Sequence, residues 1–189
     1  MEQSITYTFF IQESHYHCSL DNFDWEGKAT LKLMVEGILS GERKKGLVLI
    51  GDPGVGKTHL MVGLFRKLLE MGKLPGADVL YLEWQSFLQN TFDTMKIGVK
   101  PENVINCFKA GLYIVDDIRP IWSGRMWADT LKRLIEKVYE EKSSLVLSTN
   151  AGTVDELIKR WDLEDYWMSR LCSVADIVLV KGEDRRVSK

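Results

Sequence analysis

The stretch "GDPGVGKT" at residues 51–58 prescribes its chemistry more directly than any other part of this chain. It fits G-x-x-x-x-G-K-[ST] in full, a pattern whose glycines let successive backbone N–H groups turn inward toward an anion. The helix expected to follow offers its positive end to the same anion. Lys57 can reach the β- and γ-phosphates of a nucleotide, and the Thr58 hydroxyl can join the shell of a Mg²⁺ ion. We assign the run Gly51, Asp52, Pro53, Gly54, Val55, Gly56, Lys57, Thr58 and His59 to nucleotide binding. A glycine-rich turn can be merely structural. Here an all-apolar strand precedes it, and a helix with Leu60, Leu64 and Leu68 on one side follows.

This motif serves kinases of small molecules, GTPases and mechanical ATPases alike, so other residues must discriminate. "LYIVDD" ends an apolar strand in two carboxylates. Asp116, at the strand end, suits a residue that holds Mg²⁺ through water, because hard cations take oxygen ligands. Asp117 would then orient or deprotonate the attacking water. The plain alternative is a strand ending in a polar turn. "LVLSTN" brings Asn150 to the end of another strand, where it could hold the lytic water or the γ-phosphate. Asn is also a good cap for a helix starting near Thr153. No "NKxD"-type segment is present to read guanine, so a GTPase is not expected. Finally, Arg170 in "WMSRLCSVADIVLV" has no acid beside it in sequence. It is either a surface arginine capping a turn or one whose partner belongs to another molecule.

The elements that must position these groups follow from hydrophobic periodicity. "GLVLIG" (46–51), "DVLYLEW" (78–84), "LYIVDD" (112–117), "LVLSTN" (145–150) and "DIVLVK" (176–181) read as strands apolar on both faces. Helical patterns fall near 57–72, 85–97, 125–142 and 153–161, and an earlier helix carries Leu31, Val35, Ile38 and Leu39 before Gly41 stops it. In the 125–142 helix, Trp127, Leu131, Leu134, Ile135 and Val138 form the stripe to be buried. Strand–helix alternation of this kind predicts an α/β fold, with a five-stranded parallel sheet sandwiched by helices.

Composition bounds the rest. With 189 residues, 45% hydrophobic and 28% charged, the chain reads as one domain large enough to bury its own core. We divide it into a short arm, 1–19, and an ATPase domain, 20–189. A net charge of −2 provides no global attraction to polyanions, so any nucleic-acid binding must be local. Three cysteines, Cys18, Cys107 and Cys172, at wide spacings fit neither a disulfide framework nor a zinc site, and His15 and His17 beside Cys18 lack a second cluster to complete four ligands. No apolar run approaches the length needed to cross a bilayer, and the first residues do not form a signal peptide, so a cytoplasmic protein with no membrane partner is expected.

"GDPGVGKTHL", "YIVDDI", "LSTN", "MSRL" and "VKGEDRR" occur in an order that resembles AAA+ ATPases of the bacterial helicase-loader group, of DnaC/DnaI type. The IstB-type helpers of insertion-sequence transposases share it, and "SLDNFD" resembles their opening segment. The resemblance, covering about residues 18 to 189, implies a P-loop NTPase core and an arginine finger at Arg170 reaching ATP on a neighbouring subunit. It also implies head-to-tail assembly into an open ring or filament, single-stranded DNA as a ligand, and a ring helicase as client. DNA-contacting helices of the group correspond to about residues 85–100, where Lys96 and Lys100 are candidate contacts, or simply lysines on a solvated helix end. Members normally carry an N-terminal domain that grips the helicase. Here "ITYTFFIQ" would have to serve as an edge strand or anchor, or another protein would supply the grip. The usual glycine after the two acids gives way to "DDIRPIWSG", a bulkier loop whose Trp122 either packs or meets a partner. Like that group, the chain lacks a helical lid. The leading expectation is therefore a replicative helicase loader, with a transposase helper as the alternative. A nucleotide-switched scaffold with little hydrolysis also stays open, and a small-molecule kinase fits less well, for want of a lid insertion.

Overall fold

The computed structural model describes residues 11–75, 77–106, 108–120 and 126–184. Most of "ITYTFFIQ", Cys107, Trp122 and the final arginines Arg185 and Arg186 lie outside the described residues.

Five short strands appear where the apolar runs place them: β1 (Gly46–Ile50), β2 (Val79–Glu83), β3 (Leu112–Asp116), β4 (Ser144–Ser148) and β5 (Ala175–Leu179). They form a single parallel sheet in the order β2-β3-β4-β1-β5. Side chains alternate across each strand, so β1 sends Leu47 and Leu49 into one core and Val48 and Ile50 into the other. On the first face lie α1 (Ala29–Ser40) and α2 (Lys57–Glu70), burying Leu31, Val35, Ile38, Leu60, Leu64 and Leu68. The second core is closed by α3 (Trp84–Lys96), α4 (Pro101–Asn106), α5 (Met126–Glu140), α6 (Val154–Trp161) and α7 (Asp165–Val174). The whole predicted stripe of α5 is buried there, each Leu or Ile contributing about 2 kcal/mol. Helices on both faces of a parallel sheet are the expected α/β architecture, and no helical lid domain occurs among the described residues.

Helix ends obey local chemistry. α1 stops at Gly41, whose φ of 76° is left-handed, as the sequence predicts. α6 starts at Thr153, which accepts a hydrogen bond from the Glu156 N–H at 3.1 Å, so the cap of this helix is Thr153 and not Asn150. Glu83 caps α3 by accepting from the N–H groups of Gln85 and Ser86.

Three features depart from the sequence reading. α4 and α7 were not anticipated, and α7 carries Arg170, so this residue sits on a helix rather than in a loop. β5, an edge strand paired to β1 alone, is only partly buried, with Leu179 44% exposed, whereas the other edge strand, β2, is almost wholly covered. The stretch from 11 to 19, read with a loose arm, packs on α2. Cys18 is buried in the α1–α2 core, and Arg66 donates to the carbonyls of Tyr16 and Cys18.

Candidate functional site

Parallel strands all point their carboxyl ends one way, so the segments after β1, β3 and β4 emerge on one edge of the sheet. A cavity of about 810 Å³ opens there, lined by Pro53, Gly54, Gly56, Lys57, Thr58 and His59 from the glycine-rich loop. Asp117 and Arg119 come from the end of β3, Ser148 and Asn150 from the end of β4, and Gln12, Ser14, His15, His17 and Cys18 from the lead-in segment. Sequence motifs dispersed over a hundred residues thus meet around one space.

The loop is held from behind as well as open in front. Gly51 has φ 144°, and a Cβ there would lie 2.3 Å from the Val180 carbonyl oxygen. Gly54 has φ 84°, and a Cβ there would lie 1.8 Å from Asp184 Oδ1. The residues just after β5 therefore press on the outer side of the loop. Val55 buries its side chain in the α1–α2 core and is not among the residues lining the cavity. Lys57 is nearly enclosed and donates from Nζ to the carbonyls of Gly51 at 2.7 Å and Asp52 at 2.8 Å, closing the loop on itself. His59 shares a hydrogen bond with Asn22 Oδ1 at 2.7 Å and lies 3.0 Å from the Ser19 carbonyl, tying α2 to the lead-in segment.

The two adjacent acids differ sharply. Asp116 is 3% exposed and accepts hydrogen bonds from Ser148 Oγ at 2.5 Å, Thr58 Oγ1 at 3.3 Å and Tyr81 Oη at 3.2 Å. Burial pushes its carboxyl above the usual carboxylate range, while the bonds from Ser148 and Thr58 pull the other way. The same burial, with Asp116 alongside, raises the Tyr81 phenol and keeps it a donor. Asp117 turns away with a left-handed φ of 57°, its N–H donating to Ser148 Oγ at 2.8 Å, and its carboxylate pairs with Arg119 Nε at 3.3 Å. Thr58 and Asp116, the two residues expected to face Mg²⁺, touch each other, and their oxygens are the hard donors such an ion takes. Asn150 lines the cavity while its carbonyl accepts from Arg160 Nη1 at 3.3 Å.

From sequence Ser148 is one of a polar trio with Thr149 and Asn150 at a strand end, with no role of its own, and Tyr81 is not singled out. Ser148 lay in plain view in "LVLSTN"; the β3–β4 register, Val115 beside Leu147, is what sets it against Asp116. Tyr81 reaches Asp116 only because β2 is next to β3, which no local pattern announces.

Arg170 stands apart from the cavity. Its Nε lies 3.0 Å from Glu136 Oε2 on α5, although the N–H is not aimed well enough at that oxygen to count as a hydrogen bond. Nη2 donates to the Tyr166 hydroxyl, and the guanidinium rests over the rings of Tyr166 and Tyr139 at 4.2 and 4.5 Å from their centroids. The charge that has no neighbour in sequence has one in space. At the far end of α3, Lys96 pairs with Asp93 at 2.7 Å and covers the Phe92 ring, while Lys100 is exposed.

Comparison with known proteins fits this geometry. The model of a family described as IstB-like ATP binding protein matches residues 15–189. The ATP-binding protein of insertion sequence IS21 from Pseudomonas aeruginosa is 27% identical over 177 residues, 90% of this chain and 65% of that protein. The chain thus spans about two thirds of the length of that relative. Among solved structures, the DnaC helicase loader superposes with a TM-score of 0.73 at 19% identity, covering 90% of this chain and all of the other. The replication initiator DnaA bound to AMPPCP and single-stranded DNA gives 0.68 at 19% identity, covering 92% of this chain and 52% of that one. At such identities the structural likeness speaks for the fold. No helix of the described residues is long and apolar enough to cross a membrane.

Proposed function

This chain belongs to the IstB-like ATP-binding protein family, and from that premise we propose that it hydrolyses ATP as a self-assembling motor on DNA. The observation that carries the proposal is the convergence of Lys57, Thr58, Asp117 and Asn150 on one cavity, with Asp116 against Thr58. In this reading the glycine-rich loop and Lys57 cradle the phosphates, giving up the loop carbonyls that Lys57 now holds. Thr58 and Asp116 would hold Mg²⁺, which would supply positive charge to offset that of the phosphates. Asp117 takes the proton from, or orients, the attacking water, and Asn150 steadies water or γ-phosphate. The ATPase domain is taken as 20–189, although His15, His17 and Cys18 of the arm side also border the cavity.

Arg170 is proposed to complete the site of a neighbouring copy in a head-to-tail assembly, leaving Glu136 to do so. The client is a DNA-bound machine, with single-stranded DNA contacted through the region of Lys96 and Lys100. A replicative ring helicase is supported by the DnaC-like fold, and a DNA transposase by the IS21 relative. We give the second more weight, because its likeness resides in the sequence along most of the chain and not in the fold alone.

The test is phosphate release by the purified chain with ATP and Mg²⁺, with and without single-stranded DNA, over a range of protein concentrations. The expected rate rises more than linearly with protein and disappears in Lys57→Ala. A rate strictly proportional to protein would remove the assembly, and turnover by Lys57→Ala at the wild-type rate would remove the site. Tight nucleotide binding without turnover would mark a switched scaffold instead of a motor.

A further inference from the structure

A second arginine, Arg119, lies in the cavity itself, and none of the motifs accounts for it. Its backbone stands on a rigid platform. The Asp117 N–H is held by Ser148 Oγ at 2.8 Å, the Ile118 N–H donates to the Ser148 carbonyl at 2.8 Å, and Thr149 Oγ1 donates back to the Ile118 carbonyl at 2.8 Å. Ile118 is wholly buried between them. The left-handed turn at Asp117 then throws the chain over the cavity, so that Arg119 lines it together with Lys57, Thr58 and Asn150.

The side chain, in contrast, is lightly held. Among the described residues its polar contact is the Nε to Asp117 Oδ2 approach at 3.3 Å, between groups 53% and 32% exposed. An ion pair so open to water is weak and exchanges cheaply. A terminal phosphate offers a guanidinium more charge and a better-matched pair of oxygens than a single carboxylate oxygen does.

We propose that Arg119 is a γ-phosphate ligand supplied by the same chain, parked on Asp117 until a triphosphate draws it off. The inference deepens the ATPase reading above and rests on it. While Arg119 is parked, it occupies an oxygen of the acid assigned to the attacking water. Once it binds the γ-phosphate, that oxygen is free to accept a proton or orient water. With a diphosphate there is no γ-group to compete, and the pair stays closed. The acid is thereby armed only when the substrate is present, and the cavity distinguishes ATP from ADP without help from a neighbour.

The experiment is calorimetric titration of the full chain, with Mg²⁺, using ADP and β,γ-methylene-ATP as probes, for the wild type, Arg119→Ala, Arg119→Gln and Arg119→Lys. Because the pair is exposed, the variants should melt like the wild type, and Gln serves as a second neutral replacement. The preference for the triphosphate probe over ADP is expected to fall about tenfold in the Ala and Gln variants, with ADP affinity within about twofold and Lys intermediate. An unchanged preference, or an equal weakening of both probes, overturns the assignment of Arg119 while leaving the ATPase reading intact. If the wild type binds neither probe, the ATPase reading fails first and takes this inference with it.

Discussion

The carboxyl edge of the sheet and the α5–α7 corner each hold charged groups proposed for the same reaction, and they hold them in opposite ways. At the edge, Lys57, Thr58, Asp116 and Ser148 are bonded to one another or to the loop, through contacts that a bound nucleotide and its cation can take over one by one. At the corner, Arg170 lies against Glu136, Tyr139 and Tyr166 of its own chain and does not line its own cavity. The first arrangement is drawn from one molecule. The second would be useful to ATP only if another copy presented its cavity, as proposed above. The difference teaches that an unpaired charge in sequence is poor proof of an external partner, because a helix further along can supply the partner. The proposal for Arg170 now rests on family resemblance and on its position outside the cavity.

The largest expected effect breaks the comparison outright. Arg170→Ala should bind ATP normally and lose about a thousandfold or more in turnover, since a trans-acting arginine carries that much of phosphoryl transfer. Mixing it with Lys57→Ala should restore hydrolysis, because each variant keeps what the other lacks. Wild-type turnover by Arg170→Ala, with only a lower melting midpoint, would reduce the corner to a tie between α5 and α7. Asp117→Asn comes next, with ATP binding retained and a rate loss of about a hundredfold or more in single-turnover assays. A loss of nucleotide affinity as large as the loss of rate would move Asp117 from water to metal and blur the division between the two acids. The smallest effect sharpens the edge itself. Tyr81→Phe removes one of three donors to Asp116, and the Mg²⁺ concentration for half-maximal turnover should rise about twofold to threefold. If that concentration stayed fixed, Tyr81 would be a core residue with an incidental hydroxyl.

What the sequence made legible was whatever depends on neighbours along the chain. The glycine-rich loop, the five strands and the apolar stripe of α5 are local patterns, and each is found where the pattern puts it. The α7 segment, "DYWMSRLCSV", escaped because only Leu171 and Val174 are buried in it and the stripe is too sparse to announce a helix before β5. Tyr81 escaped because its role needs the order of β2 and β3, and Glu136 because it needs α5 laid beside α7. Asn150 borders the cavity, and its competing role as a helix cap could be removed only by seeing Thr153 in that place.

The pressure of the last strand's exit on the glycine-rich loop has a consequence for inheritance. A Cβ at Gly51 would meet the Val180 carbonyl, one at Gly54 would meet Asp184, and one at Gly182 would lie 3.8 Å from the Val55 Cβ, so positions well over a hundred residues apart form one unit. A loop transplanted from a relative without its matching tail would carry a collision at residue 54 or a gap behind it. The unit should therefore vary as a block, and a replacement at Asp184 belongs with replacements in the loop when natural variants of this chain are ranked for harm.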